Sequence, residues 1–401
     1  MPVSCRQFAA RPGSGSPPPT RVLYVLGIYH SGTTVLSNLL GQLDGFFSVG
    51  ELRSIWRKLT LPDARCGCGT TLQQCPVWSP ILRSTLGEGD DRVAFARTMR
   101  GQQREALRES HTWLRVRSLL DRRGKGLPVD TPLARYARGL ARLYRGIAEE
   151  TGADVIVDSS KEPTDAALLL LMPEIDARVV QIVRDPRGTV YSILRFRDGS
   201  APAAQSQCRR SAYAALSWSA GNLAGAAVRR AAGPASSMLL RYEDVVRFPC
   251  ETIEALAEFA GQPARLATSS EPCTVTMHPT HTVGGNNNRF RTGPVQVRED
   301  TAWRSDMHRL DWVAVSTLCA PLMTHYGYRL TRRTLAEPAS LSLRSASALA
   351  CGRTGDTAGS IPARSSALVR PRHDPVLPAG APAGPPPVKV ADPADGHRPV
   401  R

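Results

Sequence analysis

Gly27-Ile-Tyr-His-Ser-Gly32-Thr33-Thr34 is the first stretch of this chain whose residue types and spacing could do chemistry. It falls between a short apolar run, Val22 to Leu26, and a stretch in which Val35, Leu36, Leu39, Leu40 and Leu43 share one helical face. A glycine-rich turn at that place aims backbone N–H groups and a helix N-terminus at an anion, so Gly27, His30, Ser31, Gly32, Thr33 and Thr34 are read as a phosphate cradle. The loop has both glycines of G-x-x-x-x-G-K-[ST], but Thr33 stands where the lysine that reaches the β- and γ-phosphates would be. A nucleoside triphosphate would be poorly held. Ile28 and Tyr29 after Gly27 also break the dinucleotide pattern G-x-G-x-x-G.

Four further groups carry chemistry. Arg184, at the end of the apolar run Val179 to Val183, and Ser192 in the helix that follows put a guanidinium and a hydroxyl where another phosphate can be gripped. Glu51 follows a second predicted strand as a carboxylate able to accept a hydroxyl proton; the alternative is an acid at the N-terminus of the helix over Leu52 to Trp56. Lys161 closes Asp158-Ser-Ser-Lys161 after the run Val155 to Val157, either as a cation on the same sheet edge or as a surface or capping lysine. Tyr242 follows a further predicted strand, and Arg289 and Arg291 lie in a loop of glycines and amides; from the residues alone they read as a core tyrosine and a solvated basic loop.

Taken together, the Ser-Gly-Thr-Thr core of the first loop and Arg184-Asp-Pro-Arg with Ser192 resemble the sulfotransferases that use 3′-phosphoadenosine-5′-phosphosulfate. The resemblance covers residues 21–330. It implies that the first loop binds the 5′-phosphosulfate, that Arg184 and Ser192 bind the 3′-phosphate, and that Tyr242, Arg289 and Arg291 contact the nucleotide. Glu51 and Lys161 match the catalytic glutamate and lysine of tyrosylprotein sulfotransferases, and His30 joins them as a catalytic candidate. In that family a Lys or Arg precedes the loop serine. Here His30 stands there, so the charge comes either from a protonated imidazole or from another cation such as Lys161. The expected reaction is sulfuryl transfer to a hydroxyl or amine of a small-molecule, glycan or peptide acceptor, with no metal required. Two rival readings are a small-molecule kinase and a basic nucleic-acid-binding protein.

The elements that must position these groups read as strands alternating with helices. They give an α/β, three-layer, P-loop-like fold with a central parallel sheet flanked by helices. Residues 1–20 are rich in Pro, Gly and Ser and residues 331–401 in Ala, Pro, Ser, Gly and Arg, so both are expected to be disordered ends. Residues 52–152, Arg-rich and helical by pattern, are expected to form a cap that includes the acceptor region. In the 401-residue chain, 51 Lys and Arg against 35 Asp and Glu leave a formal charge of +16, which favours an anionic partner. Only 6% of residues are aromatic, too few for stacking platforms, so no specific nucleic acid is expected. No apolar stretch reaches the roughly 20 residues of a membrane span, and no apolar leader opens the chain, so a cytoplasmic protein is expected. Nine cysteines are too sparse for a disulfide scaffold. Cys66, Cys68 and Cys75 cluster without a fourth ligand, and a local structural disulfide or buried thiols are expected there.

Overall fold

Val22, Tyr24 and Leu26 point to one face of the first strand and Leu23 and Val25 to the other, and all five are buried, as happens only in a sheet covered on both sides. The computed structural model describes residues 17–107, 112–197, 204–266 and 274–330. The expected disordered ends, apart from residues 17–20, lie outside the described residues. In chain order the elements are β1 (Thr20–Gly27), α1 (Thr33–Leu40), β2 (Phe46–Gly50), α2 (Ile55–Lys58), α3 (Trp78–Leu86), α4 (Gly89–Leu107), α5 (Thr112–Leu120), α6 (Pro132–Thr151), β3 (Val155–Lys161) and α7 (Pro163–Leu169). There follow β4 (Ile175–Val183), α8 (Pro186–Arg197), α9 (Ala204–Ala232), β5 (Ser237–Arg241), α10 (Tyr242–Arg247), α11 (Pro249–Phe259), β6 (Thr274–Met277), β7 (Gly293–Gln296), α12 (Trp303–Asp306) and α13 (Arg309–His325).

Strands β1 to β5 form one parallel sheet in the order β2-β3-β1-β4-β5, while β6 and β7 make a separate antiparallel pair. The expected α/β fold with a central parallel sheet is therefore present. From β1 the chain goes to one side for β2 and β3 and then crosses to the other for β4 and β5. Such a reversal opens a crevice at the carboxyl ends of the strands.

On one face Leu23 and Val25 pack with Leu36 and Leu39 of α1 and Ile253 and Leu256 of α11. On the other, Val22, Tyr24 and Leu26 share a core with residues of α2 to α7. The Arg-rich segment 52–152 thus supplies α2 to α6, and Trp56, Trp78, Leu143 and Tyr144 carry that layer into the sheet core. Helix α6 shows why this segment is helical: Thr131 caps its start by accepting from the Ala134 N–H, Pro132 opens the first turn, and Gly152 ends it at φ +67°. Among the described residues no helix is long and apolar enough to cross a membrane.

A buried carboxyl fixes the ends of β4 and β5. Glu243 accepts from the Asp185 N–H at 3.0 Å and from the Tyr328 hydroxyl at 2.8 Å, and burial pushes its pKa up to about 7. The fold then holds this proton more tightly than the unfolded chain does. Its contribution to stability is full below the usual carboxylate range and is lost as pH rises through about 7. Urea unfolding of wild type and Glu243→Gln at acidic and at mildly alkaline pH is expected to show wild type losing on the order of 2–3 kcal/mol relative to the variant. Parallel curves would contradict it.

Candidate active site

Parallel strands end on one edge, so the residues just beyond β1 to β5 meet although they are scattered along the chain. They wall a cleft of about 510 Å³, a size suited to a small ligand. His30 comes from the turn after β1, Glu51 from the end of β2, Lys161 from β3, Arg184 from the end of β4, Tyr242 from the end of β5 and Ser192 from α8.

The turn after β1 is backbone drawn tight. A Cβ on Gly27 would lie 2.7 Å from Ser31 Oγ and 2.9 Å from Ile182 Cγ2, so only glycine lets the chain bend there. The Ser31 N–H donates to the Ile28 carbonyl at 3.0 Å, and His30 and Gly32 take φ of +67° and +94°. Gly32 is the N-cap of α1 and offers no side-chain cap, which leaves the first-turn N–H groups for an anion. Gly32, Thr33 and Thr34 all line the cleft. Gly32→Ala would set a Cβ 2.4 Å from Tyr242 Cδ2 at a positive φ. The expected result is a loss of about 1–3 kcal/mol in thermal or urea unfolding; an unchanged melting curve would contradict this geometry.

Arg184, buried, is held on three sides. It donates to the His30 carbonyl at 3.0 Å and to the carbonyl and Oδ2 of Asp300 at 3.1 and 3.2 Å, and it lies 4.5 Å from the centre of the Tyr242 ring. The other arginine of Arg-Asp-Pro-Arg turns away: Arg187 is buried against Asp185 and between Trp303 and Trp312. Burial first, then the charges of Arg184 and Lys161, hold the His30 imidazole below its ordinary pKa. Its Nδ1 lies 3.0 Å from Ser192 Oγ. A neutral imidazole leaves Lys161 and Arg184 as the fixed charges around the loop.

Lys161 ends β3 at φ +74° and forms an ion pair with Glu51 Oε1, with its Nζ 5.4 Å from the Tyr29 ring centre. The turn beneath it is set by Asp158, which accepts from the Ser160 N–H at 2.8 Å, the Ser160 hydroxyl and the Tyr144 hydroxyl. Burial pushes the Asp158 carboxyl up to about 6. Glu51 is anchored through its backbone: its N–H donates to the Gly284 carbonyl at 3.1 Å, and the Ser54 hydroxyl donates to its carbonyl at 2.8 Å.

Residues 23–265 match the sequence profile of the sulfotransferase family. The chain belongs to that family. No protein of curated function matches it. Among solved structures, the sulfotransferase domain from the curacin biosynthetic pathway is 17% identical over 79% of this chain and all of its own, with a TM-score of 0.41. The sulfotransferase domain of the Synechococcus PCC 7002 olefin synthase is 17% identical over 83% of this chain and 95% of its own, with a TM-score of 0.36. A sulfotransferase from Alicyclobacillus acidocaldarius is 13% identical over 78% of this chain and 98% of its own, with a TM-score of 0.35.

Of the site residues expected from the sequence, Gly27, Ser31 and Arg289 do not line the cleft of this sulfotransferase. Gly27 shapes the loop. Ser31 Oγ is buried beneath it without a hydrogen-bond partner. Arg289 donates to the carbonyls of Thr282, Val283 and Arg65 at 3.0, 2.8 and 3.2 Å and so shapes the late loop, while Arg291 reaches the cleft. Tyr242 lines the cleft with its ring against Gly32 and Arg184. Sequence reasoning missed Tyr29, Arg298 and Asp300, which also line it. Arg298-Glu299-Asp300 is a charged triplet with no fixed spacing to the first loop, and only nearness in space reveals it. Among the described residues, the one group of Cys, His, Asp and Glu close enough to share a metal ion lies outside the cleft.

Proposed function

We propose that this sulfotransferase moves the sulfuryl group of 3′-phosphoadenosine-5′-phosphosulfate to a hydroxyl or amine of a small-molecule, glycan or peptide acceptor. The observation that carries this reading is a single cleft joining a backbone phosphate cradle, a second anion grip at Arg184 and Ser192, and a Glu51–Lys161 pair. Lys161, Arg184, Arg291 and Arg298 outnumber the carboxylates of Glu51 and Asp300 on its wall, which favours a ligand with several negative charges.

Bound, the donor supplies an electrophilic sulfur and a phosphate leaving group. Glu51 takes the acceptor's proton as the new bond to sulfur forms, and the acceptor leaves as its sulfate ester or sulfamate. The Lys161 ammonium and the first-turn N–H groups of α1 neutralise the charge that grows on the phosphate oxygen as its bond to sulfur breaks. His30 orients the loop through Ser192. Arg184 and Ser192 take the 3′-phosphate, and Tyr242 and Arg291 border the same ligand.

Isothermal titration with adenosine-3′,5′-bisphosphate, AMP and ATP tests the reading. Tight binding of the bisphosphate with weak AMP and ATP is expected. Preference for ATP with magnesium would turn the site into a kinase's instead.

A further inference from the structure

Cys66, Cys68 and Cys75 lie within ten residues of one another, and the fold brings His281 to them from the far end of the domain, so that the four ligating atoms all lie within 4.8 Å of one another. Cys68 Sγ is 3.8 Å from Cys75 Sγ, and His281 Nδ1 is 3.8 Å from Cys66 Sγ and 3.2 Å from Cys75 Sγ. A tetrahedral zinc ion with Zn–S of about 2.3 Å and Zn–N of about 2.0 Å has S–S edges of about 3.8 Å and S–N edges of about 3.5 Å. The Cys68–Cys75 separation equals the S–S edge and the two sulfur–nitrogen separations lie within about 0.3 Å of theirs, whereas a disulfide needs about 2.05 Å between sulfurs.

The surroundings are those of a site built to hold its donors. A tight turn presents the first two cysteines: the Cys66 N–H donates to the Thr70 carbonyl at 2.8 Å, the Gly69 N–H donates to the Cys66 carbonyl at 2.9 Å, and Gly69 takes φ +92°. The Trp78 N–H, in the first turn of α3, points at Cys75 Sγ at 3.4 Å, as suits a thiolate at a helix N-terminus. The His281 segment is tied in by bonds that do not use the donors, from the Gly67 N–H to the Thr282 carbonyl at 2.9 Å and from the Trp78 indole to the His281 carbonyl. Its ring turns Nδ1 toward the sulfurs; with the proton on Nε2, that nitrogen is a free donor atom.

We infer that Cys66, Cys68, Cys75 and His281 form a closed Cys₃His structural zinc site. Binding Zn²⁺ displaces three thiol protons to solvent and leaves the metal with four protein ligands and no open position. Soft sulfur donors with one imidazole in a tetrahedron select zinc over magnesium or calcium. The fourth ligand escapes the local cysteine spacing because it lies 206 residues beyond Cys75. The site also explains what holds the late loop: His281 leads directly into Thr282 and Val283, which receive Arg289, and into Gly284, which receives the Glu51 N–H. Metal at this place clamps the late loop, whose Gly284 carbonyl receives the Glu51 N–H, to the turn that carries Cys66, Cys68 and Cys75, a positioning role with no part in the bond-making step.

The test is metal analysis of the full chain purified under reductant without a metal-affinity step, and it needs no sulfuryl transfer. About one zinc per chain is expected, falling at least tenfold in Cys68→Ser and in His281→Gln and unchanged in Cys250→Ser. Substitution of the wild-type protein with Co²⁺ keeps the test independent of how the variants fold, and thiolate-to-cobalt charge-transfer bands with tetrahedral d–d bands of three sulfurs and one nitrogen are expected. Wild type that binds neither Zn²⁺ nor Co²⁺, a disulfide between any two of the three cysteines in anaerobically alkylated protein, or iron in place of zinc overturns the inference.

Discussion

Replacing Glu51 by glutamine is expected to lower kcat by about 10²–10⁴-fold while binding of adenosine-3′,5′-bisphosphate stays equal or tightens. The direction of the binding change follows from the ion pair. Lys161 is nearly buried and its Nζ is committed to Glu51 Oε1, so removing the carboxylate's charge frees an ammonium for the nucleotide. The glutamine amide keeps the side chain's shape and leaves the backbone anchors to Gly284 and Ser54 in place. A group that served only to order the β2 end would show its loss in both quantities. Single-turnover transfer rates and titration calorimetry on the same preparation separate the two, and equal loss of both would sink the assignment of Glu51 as the base.

Removing the guanidinium of Arg184 is expected to weaken bisphosphate binding by about 10–100-fold, the worth of hydrogen bonds to a charged group, and to leave AMP nearly unchanged because AMP carries no 3′-phosphate. Arg184 also donates to the His30 carbonyl and stacks on Tyr242, so Arg184→Ala will lower the melting temperature as well. Asp300→Asn provides the independent arm. Its carboxylate lies 3.2 Å from the guanidinium and is half exposed, which makes it a competitor for the incoming phosphate. Neutralising it is expected to tighten bisphosphate binding without touching the arginine. Equal losses for AMP and bisphosphate in Arg184→Ala, with no gain in Asp300→Asn, would remove the 3′-phosphate from this grip.

Much of this architecture was legible in the chain because its signals are local. Mostly apolar runs at Val22 to Leu26, Val155 to Val157 and Val179 to Val183 lie inside β1, β3 and β4, since a strand buried on both faces has few polar positions, and the amide among them, Gln181, is buried and donates to the Asn222 carbonyl. Gly27 and Gly32 mark the loop because close neighbours leave no room for a Cβ at either place and Gly32 also takes φ +94°. Once the strands are parallel, their ends share an edge, and His30, Glu51, Lys161, Arg184 and Tyr242 reach one cleft without any further information.

Other features depend on distances between segments remote in sequence. The two arginines of Arg184-Asp-Pro-Arg187 look alike in the chain. One faces the cleft and the other is sealed between Trp303 and Trp312, because side-chain direction is fixed by which helices pack beside the turn. Arg289 and Arg291 likewise part: Arg289, inside the short helical turn Asn287–Phe290, is buried among carbonyls, and Arg291, just past its end, reaches the ligand wall. Strands, cradle and strand ends could be read from the chain because their causes lie within a few residues. The partner of Lys161, the place of Asp300 and the meeting of His281 with three cysteines were decided by packing, since coulombic and ligand contacts act through a few ångströms of space whatever the length of chain between them.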